Sequence, residues 1–196
     1  MSHNSYEPVS ALALLDARRS VPAKQLGEPA PDEATLMRML DSAVRVPDHG
    51  KLTPWRFLAI RGEARRALGE RLAVRGLERD PGAGQAAVEK DRMRFSHAPL
   101  VIAVIAQLGP HPKIPEQERL LSAGSVCFAL LQAAQAVGFG AQWLTGWPAY
   151  DTEVKRWLGL GENEHVAGFI HIGTPKLEAP ERERPDPRGM FAEWTP

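Results

Sequence analysis

The sequence predicts a mixed α and β single domain. Three observations carry that expectation. A length of 196 residues with 43% hydrophobic content suits one domain with a substantial core. The run Pro99–Leu108 is apolar without alternation, as in a strand covered on both faces. Around it, segments with helical spacing alternate with strand candidates in the order helix, helix, strand, helix, helix, strand, long helix, strand, helix, strand, tail.

SALALLDAR (Ser10 to Arg18) reads as the first helix, with Ser10 able to cap it. DEATLMRMLDSAVRV reads as the second. Asp32 caps it, Leu36, Leu40, Ala43 and Val44 share a face, and Pro47 stops it. RFLAI (56–60) is strand-like. EARRALGERLAVRG sets Ala64, Leu68 and Leu72 four apart, a surface helix for which Gly76 is a suitable end. After the loop RDPGAG, QAAVEKDRMRF is a short helix. This charged region is either a cover over a site or a solvated flap. Pro99 fits the start of the apolar strand, where its missing donor does no harm.

From Leu120 to Val137 nearly every residue is apolar or small. A helix apolar all round must be buried on all sides, in the centre of the domain or at a dimer interface. Ala123, Gly124, Ser125, Ala133, Ala134 and Ala136 allow another helix to approach closely. Gly138 and Gly140 end the helix. AQWLTG is a short strand, and DTEVKRWLGLG a capped helix with Val154, Trp157 and Leu158 on one face. HVAGFIHIG (165–173) is the last core strand. From Thr174 the chain is proline-rich, charged and aperiodic. Met190, Phe191 and Trp194 are costly to leave in water, so this tail is expected to lie across a surface, its own or a partner's.

Lys plus Arg equals Asp plus Glu, 24 each. That balance argues against nucleic acid, whose binders carry a basic excess. One cysteine, Cys127, permits no internal disulfide and fits a reducing compartment. No secretion signal and no run of membrane-spanning length is visible, so a cytoplasmic location with no membrane partner is expected.

Common catalytic motifs are absent. GFGAQW and GLGENE lack the third glycine of a dinucleotide fingerprint, and neither a P-loop, HExxH nor GxSxG occurs. The six histidines show no metal-ligand spacing, so no metal is expected. His165 and His171 share parity on a regular strand. They would face the same way about 20 Å apart, too far to share an ion. Cys127 reads as a small buried hydrophobe.

Two stretches remain. Arg18, Arg19 and Ser20 follow the first helix. Cations there suit a helix C-terminus, and two guanidinium forks beside a hydroxyl also suit a phosphate. The second stretch is RVPDHGKLTPW. Pro47 and Pro54 stiffen it, while His49, Lys51 and Thr53 supply polar groups and Trp55 can anchor it.

Taken in order, RRS, the loop ending in PW, the strand beginning RF, APLVIAVIA, SAGSVCFALLQAAQAVGFG and GFIHIGTP resemble the FMN-dependent nitroreductase family. The resemblance runs from Ala11 to Pro187 and is nearest to the small, single-domain bacterial branch. It implies a nitroreductase-like α+β fold, with a central, mainly antiparallel sheet flanked by helices. The long buried helix, residues 115–138, would lie at a homodimer interface. The whole of 1–196 would be one domain, with 174–196 a tail packing on the partner subunit.

The same resemblance implies FMN held at that interface, with NADH or NADPH as co-substrate. Arg18, Arg19 and Ser20 match the segment holding the flavin phosphate and ribityl chain. His49 and Thr53 match loop positions reaching the flavin from the other subunit. The backbone of Trp143, Leu144 and Thr145 matches the segment along the ring. Lys176, Arg182 and Arg184 are candidates for a basic residue at the phosphate. The loop departs from the family's usual Ser, Asn and Gln, and VPAKQLGEPAP after Ser20 is less basic than the family pattern.

The implied activity is NAD(P)H-dependent, ping-pong hydride transfer through the flavin to a nitroaromatic, quinone or related small acceptor. The flavin N5 carries the chemistry, so no protein nucleophile is required. Lys51 is the candidate for charge near the flavin N1 and O2. Two rival readings stand beside it: a flavin-binding or storage protein without turnover, and a cofactor-free helical interaction protein.

Overall fold

The structure, a computed structural model, describes residues 8–196, with side chains from residue 11. Its elements are α1 (Pro8–Asp16), β1 (Leu26–Gly27), α2 (Glu33–Ala43), β2 (Trp55–Arg61), α3 (Glu63–Arg79), α4 (Gln85–Met93), β3 (Leu100–Gln107), α5 (Glu116–Ala136), β4 (Gly140–Leu144), α6 (Thr152–Trp157) and β5 (Glu164–Pro175). Among the described residues every strand pairing is antiparallel. β2 lies beside β3, β3 beside β5, and both β4 and the two-residue β1 pair with β5. This is the α+β fold expected, an antiparallel sheet between layers of helices.

Both faces of β3 are covered, which explains its lack of alternation. Leu100, Ile102, Val104 and Ala106 face α2 and α5, in a cluster with Leu36, Met39, Val126 and Leu130. Val101, Ala103 and Ile105 face the other way, toward Leu68 and Leu72 of α3, Phe95, Val154 and Phe169. Each fully buried Leu or Ile in these layers contributes about 2 kcal/mol from area removed from water.

Several local expectations need correction. The expected cap at Ser10 falls on a side chain outside the described residues, and the backbone is already helical from Pro8. In α2 the Asp32 carboxylate accepts from the Thr35 amide at 2.8 Å, as a cap should. That helix ends at Ala43, well before Pro47, and buries Met39, whereas Val44 is exposed. α3 runs through Gly76 to Arg79. Gly76 is no terminator; its missing side chain leaves room for the Asp91 carboxylate. About two turns earlier, a Cβ on Gly69 would collide with the Arg92 carbonyl, so α3 and α4 meet backbone to backbone.

β5 carries a bulge. Ile105 pairs with Val166 and Val104 with Gly168, leaving Ala167 extra. The extra residue reverses the alternation. His165 pairs with Ala106 on the α5 face, whereas His171 pairs with Val101 on the α3 face. The two histidines therefore face opposite ways, not the same way.

The own chain covers only one face of α5. Ala123, Val126, Cys127, Leu130 and Ala134 are buried, while Leu120, Leu121 and Phe128 are exposed. Burial raises the Cys127 thiol to about 12, so it stays protonated and inert as a packing group. Beyond β5 the tail makes one 3-10 turn, Pro187–Gly189, and leaves Met190, Phe191 and Trp194 exposed. Among the described residues no helix is long and apolar enough to cross a membrane.

Candidate functional site

The first half-site forms where α1 ends. Arg19 Nη1 donates to the carbonyls of Asp16, at 2.9 Å, and Arg18, at 3.2 Å, and its guanidinium pairs with Glu181. Arg19 thus serves the helix terminus. Arg18 does not: its Nη1 donates to Ser20 Oγ at 3.2 Å. Burial lowers its pKa, and the nearby charges of Arg184, Arg182 and Arg19 lower it further. Three guanidinium groups besides Arg18 and one carboxylate, Glu181, meet here. Such a cluster repels itself until an anion joins it.

The tail builds this cluster. Arg184 Nη2 donates to the Arg18 carbonyl at 3.1 Å, and its Nε to Glu181 at 3.0 Å. Of the tail cations named from sequence, the structure brings Arg182 and Arg184 to Arg18. Lys176 lies instead against Gly27, with its charge acting on His97.

The same segment is tied to the end of α5 and to β4. The Arg19 amide donates to Gln135 Oε1 at 3.3 Å, Val21 N to the Ala141 carbonyl at 3.1 Å, and Ala23 N to Gln142 Oε1 at 2.7 Å. These bonds place Ser20 and Val21 beside the strand leading into Trp143, Leu144 and Thr145. The Trp143 indole lies over Gly168, where any Cβ would collide with it, and donates to the carbonyl of the bulged Ala167 at 3.2 Å.

The second half-site is the loop before β2. Gly50, Lys51 and Thr53 all have positive φ, 72°, 55° and 50°. For Lys, and still more for β-branched Thr, this costs of order 1–2 kcal/mol each and must be imposed by neighbours. Asp48 Oδ2 accepts from Thr53 N at 2.7 Å, and Trp55 N donates to the Thr53 carbonyl at 2.7 Å. Ser122 Oγ holds the Pro47 carbonyl at 2.9 Å, and His49 Nδ1 lies 2.6 Å from Glu118 Oε2. His49, Lys51 and Thr53 are left exposed on a fixed frame.

The two half-sites sit at opposite ends of α5. Glu118 holds His49 near its start, and Gln135 holds Arg19 near its end. At 1.5 Å per residue these anchors are about 25 Å apart along the helix. One chain cannot place both around one small ligand. Between them the exposed Leu121 and Phe128, with the half-buried Gly124, run along one helical face.

His97, Lys24, Lys90 and Arg94 went unremarked in the sequence. They line a cavity of about 260 Å³ with Pro22, Ala23, Gln142 and Leu144. The only signal in the sequence was the basic side of the short helix 85–95, which reads equally as a solvated surface.

Fold and half-sites together define an α+β protein with a cluster of arginines where α1 ends and a stiff polar loop at the far end of α5. The Nitroreductase family profile matches residues 15–174, and the chain belongs to that family. It is 36% identical over 171 residues to YdjA of Escherichia coli (strain K12), provisionally named as an NAD(P)H nitroreductase, covering 87% of this chain and 91% of that one. YfhC of Bacillus subtilis (strain 168), named in the same way, is 29% identical over 182 residues, 92% of each chain. A nitroreductase-like family protein from Bacillus cereus shares the fold with a TM-score of 0.79 at 21% identity, over 98% of this chain and 99% of that one. The FMN and NADPH-dependent nitroreductase NfnB from sphigopyxis sp. strain HMH, as a point variant, has a TM-score of 0.75 at 19% identity, over 94% and 98%.

Proposed function

We propose that the chain is an FMN-dependent NAD(P)H oxidoreductase that reduces nitroaromatic, quinone or related small acceptors as a homodimer in the cytoplasm. The observation that carries this is the separation of the half-sites along α5. An antiparallel pairing of two α5 helices about a twofold axis brings the Arg18 end of one chain to the His49 end of the other. Two equivalent sites then form, and the exposed Leu121 and Phe128 become interface residues.

The residues present fit FMN. Arg18, Ser20, Arg182 and Arg184 offer charge-assisted donors to a phosphate, which relieves their mutual repulsion. The flat run Trp143 to Thr145 offers backbone along one ring edge. His49 and Thr53 of the partner subunit, presented on a strained loop, offer polar groups from the other side. Lys51 provides a cation on the same loop. The tail packs on its own chain as far as Arg184, and its end, with the exposed Met190, Phe191 and Trp194, lies on the partner subunit.

The chemistry that FMN supplies when bound is hydride transfer at N5, from NADH or NADPH and then to the acceptor, in ping-pong order. For a nitro acceptor the net change is ArNO2 + NAD(P)H + H+ to ArNO + NAD(P)+ + H2O. The protein orients the reactants and excludes water, and its cations favour negative charge on the reduced ring.

The test is to purify the protein, record its visible spectrum and add NAD(P)H without oxygen. A yellow protein that bleaches, and recovers its colour with a quinone or nitroaromatic, supports the proposal. A yellow protein that never bleaches points to flavin storage. A colourless protein that ignores added FMN points to an interaction module.

A further inference from the structure

α4 buries no residue of its own and lies on α3 where Gly69 lets the two backbones meet. From α4 the Asp91 side chain turns inward and is 14% exposed. Both of its oxygens accept from Trp147 Nε1, at 3.0 and 3.2 Å, and Oδ1 also accepts from Arg94 Nη2 at 2.7 Å. Two glycines make room for this group. A Cβ on Gly76 of α3 would stand 2.7 Å from Asp91 Oδ2, and one on Gly146 would stand 2.9 Å from Arg94 Nη1. Gly146 also has a φ of 68°, which favours glycine. One half-buried carboxylate thus joins α3, α4 and the turn that follows β4.

Trp147 is held on a second side. The Arg79 guanidinium lies 4.4 Å from its ring centroid and pairs with Asp151 at 3.6 Å. The ring packs beside the cluster of Leu68, Leu72 and Phe169. A core tryptophan needs a partner for its N–H, and Asp91 would serve that need alone.

The place of Trp147 in the chain gives the contact a further effect. Trp147 follows by two residues the run Trp143 to Thr145, the segment proposed to lie along the flavin ring. The ladder between β4 and β5 ends at the Leu144–Phe169 pair, so Thr145 and Gly146 lie past its last rung. Upstream the segment is fixed by Gln142, whose Oε1 accepts from Ala23 N at 2.7 Å. Downstream it is fixed by the Trp147 indole. A stretch beyond its ladder takes the position its ends impose, and a displacement of about 1 Å at a reacting centre costs on the order of a hundredfold in rate.

We infer that Asp91 is a positioning residue for the oxidoreductase reaction: acting through Trp147, with Arg94 beside it, it fixes the Thr145 end of the ring-edge segment. The inference rests on the oxidoreductase reading. It adds a residue on α4, remote from both half-sites, that shapes the surroundings of the bound flavin without holding its phosphate.

The test compares Asp91→Ala, Trp147→Phe and the double variant with wild type. Trp147→Phe keeps a ring beneath Arg79 and removes only the N–H donor. Arg56→Met is the control for stability, because the Arg56–Glu164 pair joins β2 to β5 and touches neither α4 nor the turn. Each single variant should retain its flavin per chain, alter the visible circular dichroism of that flavin, and lower kcat/KM for 1,4-benzoquinone about tenfold or more. The double variant should lie within about threefold of the worse single one, since both remove the same link. Arg56→Met should leave dichroism and kcat/KM as they are. Independently of turnover, one of the five tryptophan indole N–H signals in a nitrogen-15 spectrum, identified by its loss in Trp147→Phe, should move in Asp91→Asn.

Wild-type dichroism and kcat/KM in both single variants overturn the inference while the oxidoreductase reading stands. Losses that multiply in the double variant overturn it too, because Asp91 would then act by another route. So does an equal loss in Arg56→Met, which would make the effect one of stability, and an indole signal that stays in place. Trp147→Phe decides the kinetic arm where Asp91→Ala fails to fold. A wild type that is colourless and ignores FMN removes the oxidoreductase reading and this inference with it, a result distinct from yellow variants that behave as wild type.

Discussion

The Arg184 guanidinium donates to the main-chain carbonyl of Arg18 at 3.1 Å, across 166 positions of sequence. The tail thereby delivers its cations to the end of α1, and its proline-rich, aperiodic sequence becomes part of the proposed flavin site. Arg184→Ala and Arg18→Ala are each expected to weaken FMN retention about tenfold or more, as befits loss of a charge-assisted donor to phosphate. Flavin absorbance per chain after gel filtration measures this. Arg19→Ala should cost less flavin, because Arg19 serves the helix end. Equal losses at all three positions would contradict that division.

Leu121→Glu with Phe128→Glu places two carboxylates on the exposed stripe of α5 without touching the residues beneath it. If two chains meet there, the variant should sediment as a monomer and lose its flavin together with its dimer. A flavin-loaded monomer would separate the cofactor from the interface and defeat the shared-site reading.

Glu164 predicts an acid transition. Arg56 Nε and Nη2 grip its two oxygens at 2.6 and 2.8 Å, and the Gly161 amide adds a third bond at 2.9 Å. The Arg56 hydrogen bonds lead in lowering its pKa to about 2. The folded value lies below the usual carboxylate value of about 4.3, so the stabilisation is complete above that pH and is lost as pH falls toward 2. After screening by water it amounts to ~1–2 kcal/mol. Urea denaturation of Arg56→Met against wild type should show a gap at pH 7 that narrows below about pH 4.3 and closes only toward pH 2.

His171 acts in a neighbouring window. Burial lowers its imidazole to about 4, and the charges of His97 and Arg94 push the same way. Between about 6.5 and 4 the unfolded chain takes up a proton that the folded chain refuses, so stability falls as the solution is acidified. His171→Leu should remove up to ~3 kcal/mol of that loss by pH 4. A wild-type stability that is flat from pH 7 to 4.5 would count against this.

The sequence made the large elements plain because burial writes a period into them. β3, α5 and α6 fall within a few residues of their expected places, and Asp32 and Asp151 cap as their spacing suggests. The order of motifs sufficed for the family. What escaped depends on three-dimensional contact. β1 is two residues long and has no period to detect. Gly76 carries the local mark of a terminator, and only the approach of Asp91 explains why the helix passes through it. That Arg182 and Arg184, and not Lys176, meet Arg18 depends on how the tail turns back. Lys24, Lys90 and His97 are far apart in sequence, so no local pattern joins them.

The ladder with β3 sets the pleat of β5 much as a reading frame sets codons, and the extra residue at Ala167 stands outside it. Deleting Ala167 would leave every pairing with β3 in place, because Gly168 would follow Val166 in a regular ladder and each later side chain would keep its face. What would go is the carbonyl that holds the Trp143 indole. Deleting Ile170 instead would slip the strand by one and turn the side chains on one side of the gap to the wrong face, so it should be far more damaging than deletion of Ala167.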